Sequence, residues 1–311
     1  MEDRTMKKLA GCVWFSSLLA GVLWAGQAVP VSHMQFQAVN DKGEQAYAVG
    51  DRVVLEGIVL NNAADLLDPT ANDTITATYN LGGQWQIYVQ GEGEDHAGTA
   101  VYMAQLYNNL PWIQPDGGYS NREFIAELTR LNAAQFSPGD RVRITGNYLS
   151  YAGKNNVNEQ HSSKPDHDFT IELLAKGSLP APEAVTLADL KGDQDQVLFD
   201  PLRLSGGEFY QGRLVKIRQV RFVDPSQWGP NVQLLVTDGR HTFPIRLGRG
   251  NGIYAGSYNL TEPFDVIGIM DQESTDLKSG YRLWVPNYDG NGRVLASIEY
   301  RLADRQQEAK Q

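Results

Sequence analysis

Basic residues recur along one stretch of this chain: Arg213, Lys216, Arg218 and Arg221, then Arg240, Arg246 and Arg249. Trp228, Phe243, Tyr254, Tyr258 and Trp284 lie close to them in sequence. Guanidinium and ammonium groups neutralise phosphates and aromatic faces stack on unpaired bases, so this composition suits a single strand of nucleic acid. The candidate ligand-binding set is Arg213, Lys216, Arg218, Arg221, Trp228, Arg246, Arg249 and Trp284. The competing reading is plainer: aromatics at alternate strand positions fill a core, and the charges between them face water.

Two further places hold residue types that ligate metals. His161 and His167, beside Asp166 and Asp168, have the imidazole and carboxylate donors that zinc accepts, although a solvated polar loop is the preferred explanation, since the residues share no regular element and no cysteine joins them. Asp289, within Asn287-x-Asp289-x-Asn291-Gly292, imitates the start of a calcium loop. The bidentate glutamate is due at Ile298, and Glu299 comes one residue late. Gly-x-Ser-x-Gly, His-Glu-x-x-His and the phosphate-cradling Gly-x-x-x-x-Gly-Lys are all missing from the sequence. No catalytic residue, cofactor or metal is expected. Trp85, Tyr88, Tyr102, Tyr107 and Trp112, with Gln105, Asn108 and Asn109, offer aromatic faces and amides of the kind that suit sugar rings. The expectation preferred for Trp85 and Tyr102 is that they fill the interior.

These residues need elements to hold them, and the elements are strands. Val49-Gly50-Asp51-Arg52-Val53-Val54-Leu55-Glu56-Gly57 returns as Pro138-Gly139-Asp140-Arg141-Val142-Arg143-Ile144-Thr145-Gly146. In each copy a Gly-Asp turn opens an alternating, β-branched run that ends at a glycine, the pattern of a strand that curls around a small barrel. Strands are expected at 52–61, 84–90, 99–103, 141–151 and 169–174, with a helix at 121–131 and the last strand closing the sheet. Five strands with a helix between the third and fourth is the order of the oligonucleotide/oligosaccharide-binding (OB) barrel. A second such barrel is expected from strands at 209–222, 231–238, 241–247, 263–270 and 281–286, with no evident helix between its third and fourth strands. The fold class is all-β: two tandem OB-like five-stranded barrels.

At the start, Arg4, Lys7 and Lys8 precede an apolar run from Leu9 to Ala25, and Gly26-Gln27-Ala28 offers small residues for cleavage. This is the layout of a secretory signal peptide, with an uncleaved anchor as the alternative. Cys12 is the only cysteine, so after cleavage no disulfide or thiolate chemistry remains. The domain organisation is then a signal peptide at 1–28, a first barrel at 31–178, a linker at 179–205 with Pro180 and Pro182 keeping it extended, a second barrel at 206–300 and a polar tail at 301–311. Charge is shared unevenly. Residues 31–175 hold eighteen Asp/Glu against eight Lys/Arg, whereas residues 206–300 hold ten of each. The acidic first barrel repels polyanions.

The segments VGDRVVLEGIVL, PGDRVRITGNYLSYAGKNNV, LPAPEAVTLADL and GEFYQGRLVKIRQVRFV together resemble the tandem OB-fold region of large secreted bacterial nucleases and related exported proteins. Tyr210, Gly212, Leu214 and Val215 match that family's Tyr-x-Gly-x-Leu-Val pattern. The resemblance covers most of residues 47–300 and implies the accessory OB region without the nuclease domain. The expected function is thus an exported, secreted or periplasmic, non-catalytic binding or scaffolding protein. Its expected partner is single-stranded nucleic acid or another envelope protein, with no membrane insertion after signal cleavage. The alternatives are a metal-dependent nuclease or phosphodiesterase using His161 and His167, and a structural partner in a cell-envelope assembly.

Overall fold

The computed structural model describes residues 27–72, 82–105, 119–158, 169–250, 253, 263–286 and 298–300. The first half forms β1 (Val29–Pro30), α1 (His33–Phe36), β2 (Arg52–Val59), α2 (Ala63–Leu66), β3 (Gln84–Gln90), β4 (Gly98–Ala104), α3 (Asn121–Asn132), β5 (Arg141–Tyr151), β6 (Lys154–Asn158) and β7 (Thr170–Ala175). Strands β2, β3, β4, β6 and β5 lie in that order, and β5 pairs back onto β2 to close a five-stranded barrel. Only the β4–β6 contact within this circuit is parallel, which is the OB arrangement. A reciprocal cap between Ser120 and Glu123 starts α3, and Phe124 and Leu131 on its inner stripe enter the core beside Val53, Leu55, Trp85 and Ile144.

The glycines that end the two Gly-Asp-Arg-Val strands mark changes of partner. Strand β2 pairs with β5 through Ile58 and turns to β3 from there. A Cβ on Gly57 would lie 2.3 Å from the Gln90 carbonyl oxygen. Strand β5 pairs with β7 up to Thr145 and with β6 from Asn147, and a Cβ on Gly146 would lie 2.4 Å from Val157 and 2.7 Å from Phe169. The strand expected at 169–174 therefore extends the edge of β5, and β6 completes the circuit. Lys154–Asn158 carries one apolar residue, so period-two hydrophobicity does not reveal it. Its inward Asn155 accepts from the Tyr148 hydroxyl and donates to the Phe36 carbonyl, which lets an amide stand in the core.

The second half forms β8 (Glu183–Val185), α4 (Leu187–Leu190), α5 (Gly206–Phe209), β9 (Leu214–Phe222), β10 (Gln233–Thr237), β11 (Thr242–Leu247), β12 (Phe264–Gln272), β13 (Tyr281–Val285) and β14 (Ile298–Tyr300). The circuit β9, β10, β11, β13, β12 closes through the β12–β9 ladder, again with one parallel contact, between β11 and β13. The start of the strand expected at 209–222 is a helical turn, and the strand proper begins at Leu214. A bulge near Arg218 and Gln219, with Gln219 at φ +55° and its N–H donating to Asp265, bends β9 toward β10. Apart from Ile253, the connection at 251–262 lies outside the described residues.

Each barrel is preceded by the same small unit. Strand β1 runs parallel to β2 and leads into α1, where Ser32 and Gln35 cap each other. Strand β8 runs parallel to β9 and leads into α4, where Asp189 reaches back to Thr186. The stretch expected as a linker thus adds a strand to the second sheet and sends Leu187 and Leu190 into the second core.

The two barrels share a seam. Tyr88 and Ala100 on the outer face of β3 and β4 pack with Leu60, Leu66 and Leu67 against Leu214, Ile267, Ile269 and Trp284 of the second barrel. Gly98 and Gly212 meet backbone to backbone, a Cβ on either lying 2.1–2.3 Å from the other's carbonyl oxygen. At the centre is Asp271, with no exposed surface. It accepts from Tyr88 (2.5 Å), Lys154 (2.8 Å), Arg282 (3.0 Å) and the Trp284 indole (3.0 Å). Burial alone would push the Asp271 carboxyl up. The Lys154 ammonium and Arg282 guanidinium outweigh it and hold the pKa at about 2.

Candidate binding face

In an OB barrel the second and third strands usually present the ligand face. In the first barrel those strands are β3 and β4, and all but Gln84 and Tyr102 of their residues are buried. The inner side fills the core and much of the outer side is covered by the second barrel. The corresponding strands of the second barrel, β10 and β11, are buried on one side only, in strict alternation.

Three rungs cross the open side. Arg221 of β9 stands beside Thr237, which pairs with Thr242. Val223 donates its N–H to Leu235, which pairs with Pro244. Gln233 pairs with Arg246. The middle rung is apolar and open to solvent, with Val223 53% and Leu235 44% exposed. Arg218 and Arg221 are exposed, and neither has a hydrogen-bond or ion-pair partner among the described residues. Lys216 is half-buried on the same strand. Arg246 holds the Asn231 side-chain oxygen through Nε (3.0 Å) and Nη2 (2.6 Å), and its guanidinium lies 5.7 Å from the centre of the Trp284 ring.

The remaining sequence candidates sit elsewhere. Arg213 is drawn into the seam, where its Nε bonds Glu183 at 3.2 Å beside His96. Arg249 crosses the seam to Asp68 at 3.0 Å. Trp284 is 5% exposed with its indole N–H on Asp271, so it is a seam residue. Trp228 is half-buried, packs edge-on against Phe222 and donates its indole N–H to the Ile253 carbonyl. Phe243 is core. Tyr254, Tyr258, His161, His167 and Asp289 lie outside the described residues. The structure thus places Arg221 and Arg246 on the outer rungs of this side with Arg218 just before them on β9, leaves Lys216 where β9 pairs with β8 and β12, and supplies Val223, Leu235 and Pro244, which sequence reasoning did not select. The signal for them was present: Leu235 and Pro244 fall on the outward positions of alternating strands.

Among the described residues, no three His, Cys, Asp or Glu side chains gather where they could hold a metal ion. Among them, too, no helix is long and apolar enough to cross a membrane.

No protein-family model matches the chain, and no curated protein matches it. Solved structures do. A murine DNA-binding protein bound with ds DNA is 13% identical over 76% of this chain and 95% of that one, with a TM-score of 0.31. A structure described as the molecular basis for abrogation of activation of pro-inflammatory cytokines is 10% identical over 77% of this chain and 91% of that one, also at 0.31. The assignment of two OB barrels rests on the strand pairing described above.

Proposed function

We propose that this protein is an exported, non-catalytic binding or scaffolding module that takes an extended single strand of nucleic acid across the β9–β10–β11 face of its second barrel. One observation carries the reading. Of two equivalent outer faces, the first barrel's is largely covered by the second barrel. The second's is open, with an apolar rung flanked by Arg221 and Arg246, and Arg218 and Arg221 have no hydrogen-bond or ion-pair partner among the described residues. Phosphates would meet Arg218, Arg221 and Arg246, while Val223, Leu235 and Pro244 underlie the bases. Exposed aromatic stacking is absent from the described part of this face, so affinity would come mainly from the phosphates and be strongly salt-dependent. Export is supported by the charged, apolar and small-residue layout of residues 1–28. The resemblance of the barrels to the OB region of secreted nucleases supports a polynucleotide as the partner.

The test is retention of a labelled oligothymidylate between about 50 and 200 mM salt. Arg218→Ala and Arg221→Ala should each weaken binding and reduce the log–log salt slope by about 1. Binding that is insensitive to salt, or unchanged in both variants, contradicts the reading.

A further inference from the structure

A cleft of about 260 Å³ opens at the end of the first barrel, between α2 and the C-terminal half of α3. Alanines at 63 and 64 leave room where larger side chains would close the gap. Pro69, Leu128 and Phe136 form its walls, and none of the residues that line it is charged. Both helices are held in place. Phe124 and Leu131 anchor α3 in the core. On the other side Arg249 of the second barrel donates its N–H to the Asp65 carbonyl at 2.6 Å and its guanidinium to Asp68 at 3.0 Å. The space between them is therefore preformed.

Trp85 lies at the floor of the cleft. As expected, it is inside the barrel, where its ring stacks on Phe169 at 5.7 Å. Tyr102, expected there too, points outward and packs at the seam. Trp85 is 2% exposed, yet its indole N–H has no hydrogen-bond partner among the described residues. The other two described indoles both donate, Trp228 to the Ile253 carbonyl and Trp284 to Asp271, as buried indole N–H groups usually do. The Trp85 nitrogen is not among the unpaired atoms shut off from solvent. With so little of this ring exposed, its N–H is reached from the cleft that it floors. Two amides stand at the mouth. Asn62 donates to Asp65 at 3.0 Å without capping α2, and its oxygen has no partner among the described residues. The Asn132 side chain has none either.

We propose that this cleft is a binding site for a small, neutral, flat molecule of one or two rings that carries a ring carbonyl. The carbonyl oxygen accepts from the Trp85 indole N–H, the rings pack between Leu128 and Phe136, and the outer edge meets the amides of Asn62 and Asn132. An apolar cavity of about 150 Å³ takes benzene, so this one has room for a second ring. An ion would leave water here with no opposite charge to receive it. The site is on the first barrel, apart from the β9–β10–β11 face, and does not rest on the nucleic-acid reading.

The experiment is an NMR titration of the whole protein, isotope-labelled at its tryptophan indoles, with coumarin and with chromone. Both probes are neutral and bicyclic with a ring carbonyl. The Trp85 indole resonance, assigned by its loss in Trp85→Phe, should move downfield and saturate with a Kd of about 1 mM or tighter for at least one probe. The Trp228 and Trp284 resonances should stay where they are. Ala64→Phe fills the cleft from an exposed lining position and should weaken binding at least about tenfold. Asn132→Phe, across the mouth, should do the same, so the reading does not hang on one variant folding. Arg221→Ala should change nothing. A Trp85 resonance that neither probe moves, or a shift that persists unaltered in both Phe variants at the mouth, overturns the site. Because the oligothymidylate measurement reads Arg218 and Arg221, it succeeds or fails independently.

Discussion

Asp271 concentrates the energetics of the seam on one side chain. Its carboxylate is the common acceptor for an ammonium, a guanidinium, a phenol and an indole, drawn from both barrels. Removing the charge leaves Lys154 and Arg282 close together and largely out of water, 9% and 13% exposed. Asp271→Asn should therefore cost about 3–5 kcal/mol in urea unfolding. A loss below about 1 kcal/mol would mean that water reaches the group. The other informative residue is His33, whose ring lies buried with Nδ1 on Thr99 (2.8 Å) and Nε2 on the Glu56 carbonyl (3.2 Å). Burial lowers its pKa to about 4, against the pull of Asp95 and the Glu56 carbonyl. The unfolded chain takes up this proton near pH 6.5 and the folded chain resists until about pH 4. The His33 contribution is thus complete above about pH 6.5 and falls by about 3 kcal/mol on acidification through that window. His33→Gln should flatten this part of the stability–pH profile, and an identical slope in both proteins would refute the assignment.

At the scale of elements, the seam depends on two glycines that let backbones touch. Gly98→Ala places a methyl group 2.1 Å from the Gly212 carbonyl oxygen. It should lower stability by about 1–3 kcal/mol and loosen the barrels, read as a lower urea midpoint and faster amide exchange at β4 and β9. An unaltered midpoint would show that the barrels do not rely on this contact. The strands themselves were largely legible. Alternation placed β3 and β5 at their observed bounds, and the helical spacing of Phe124, Leu128 and Leu131 marked α3, whose cap is Ser120 and not Asn121. Strand β6 was not legible, because Lys-Asn-Asn-Val-Asn buries amides through hydrogen bonds instead of apolar surface. Nor could sequence say which outward residues meet solvent. Arg213, Arg249 and Trp284 alternate with core residues just as Arg218 and Arg221 do, and only the second barrel's position separates them.

For the whole molecule, the repeat is one of whole barrels, distinct from the Gly-Asp-Arg-Val motif, whose two copies both lie in the first barrel. Two copies of one design, each a short parallel strand and capped helix followed by a closed barrel, are packed unequally. The first copy gives up much of its ligand face to hold the second, and the second keeps its own face free. This inequality matches the charge distribution: the acidic copy is the support, and the balanced copy carries the open arginines. The most direct measurement of this arrangement is hydrogen exchange across the whole chain, with and without oligothymidylate at low salt. The account expects slowed exchange along 218–247 and none along 84–104. Slowed exchange confined to 84–104, or no change anywhere, would contradict it.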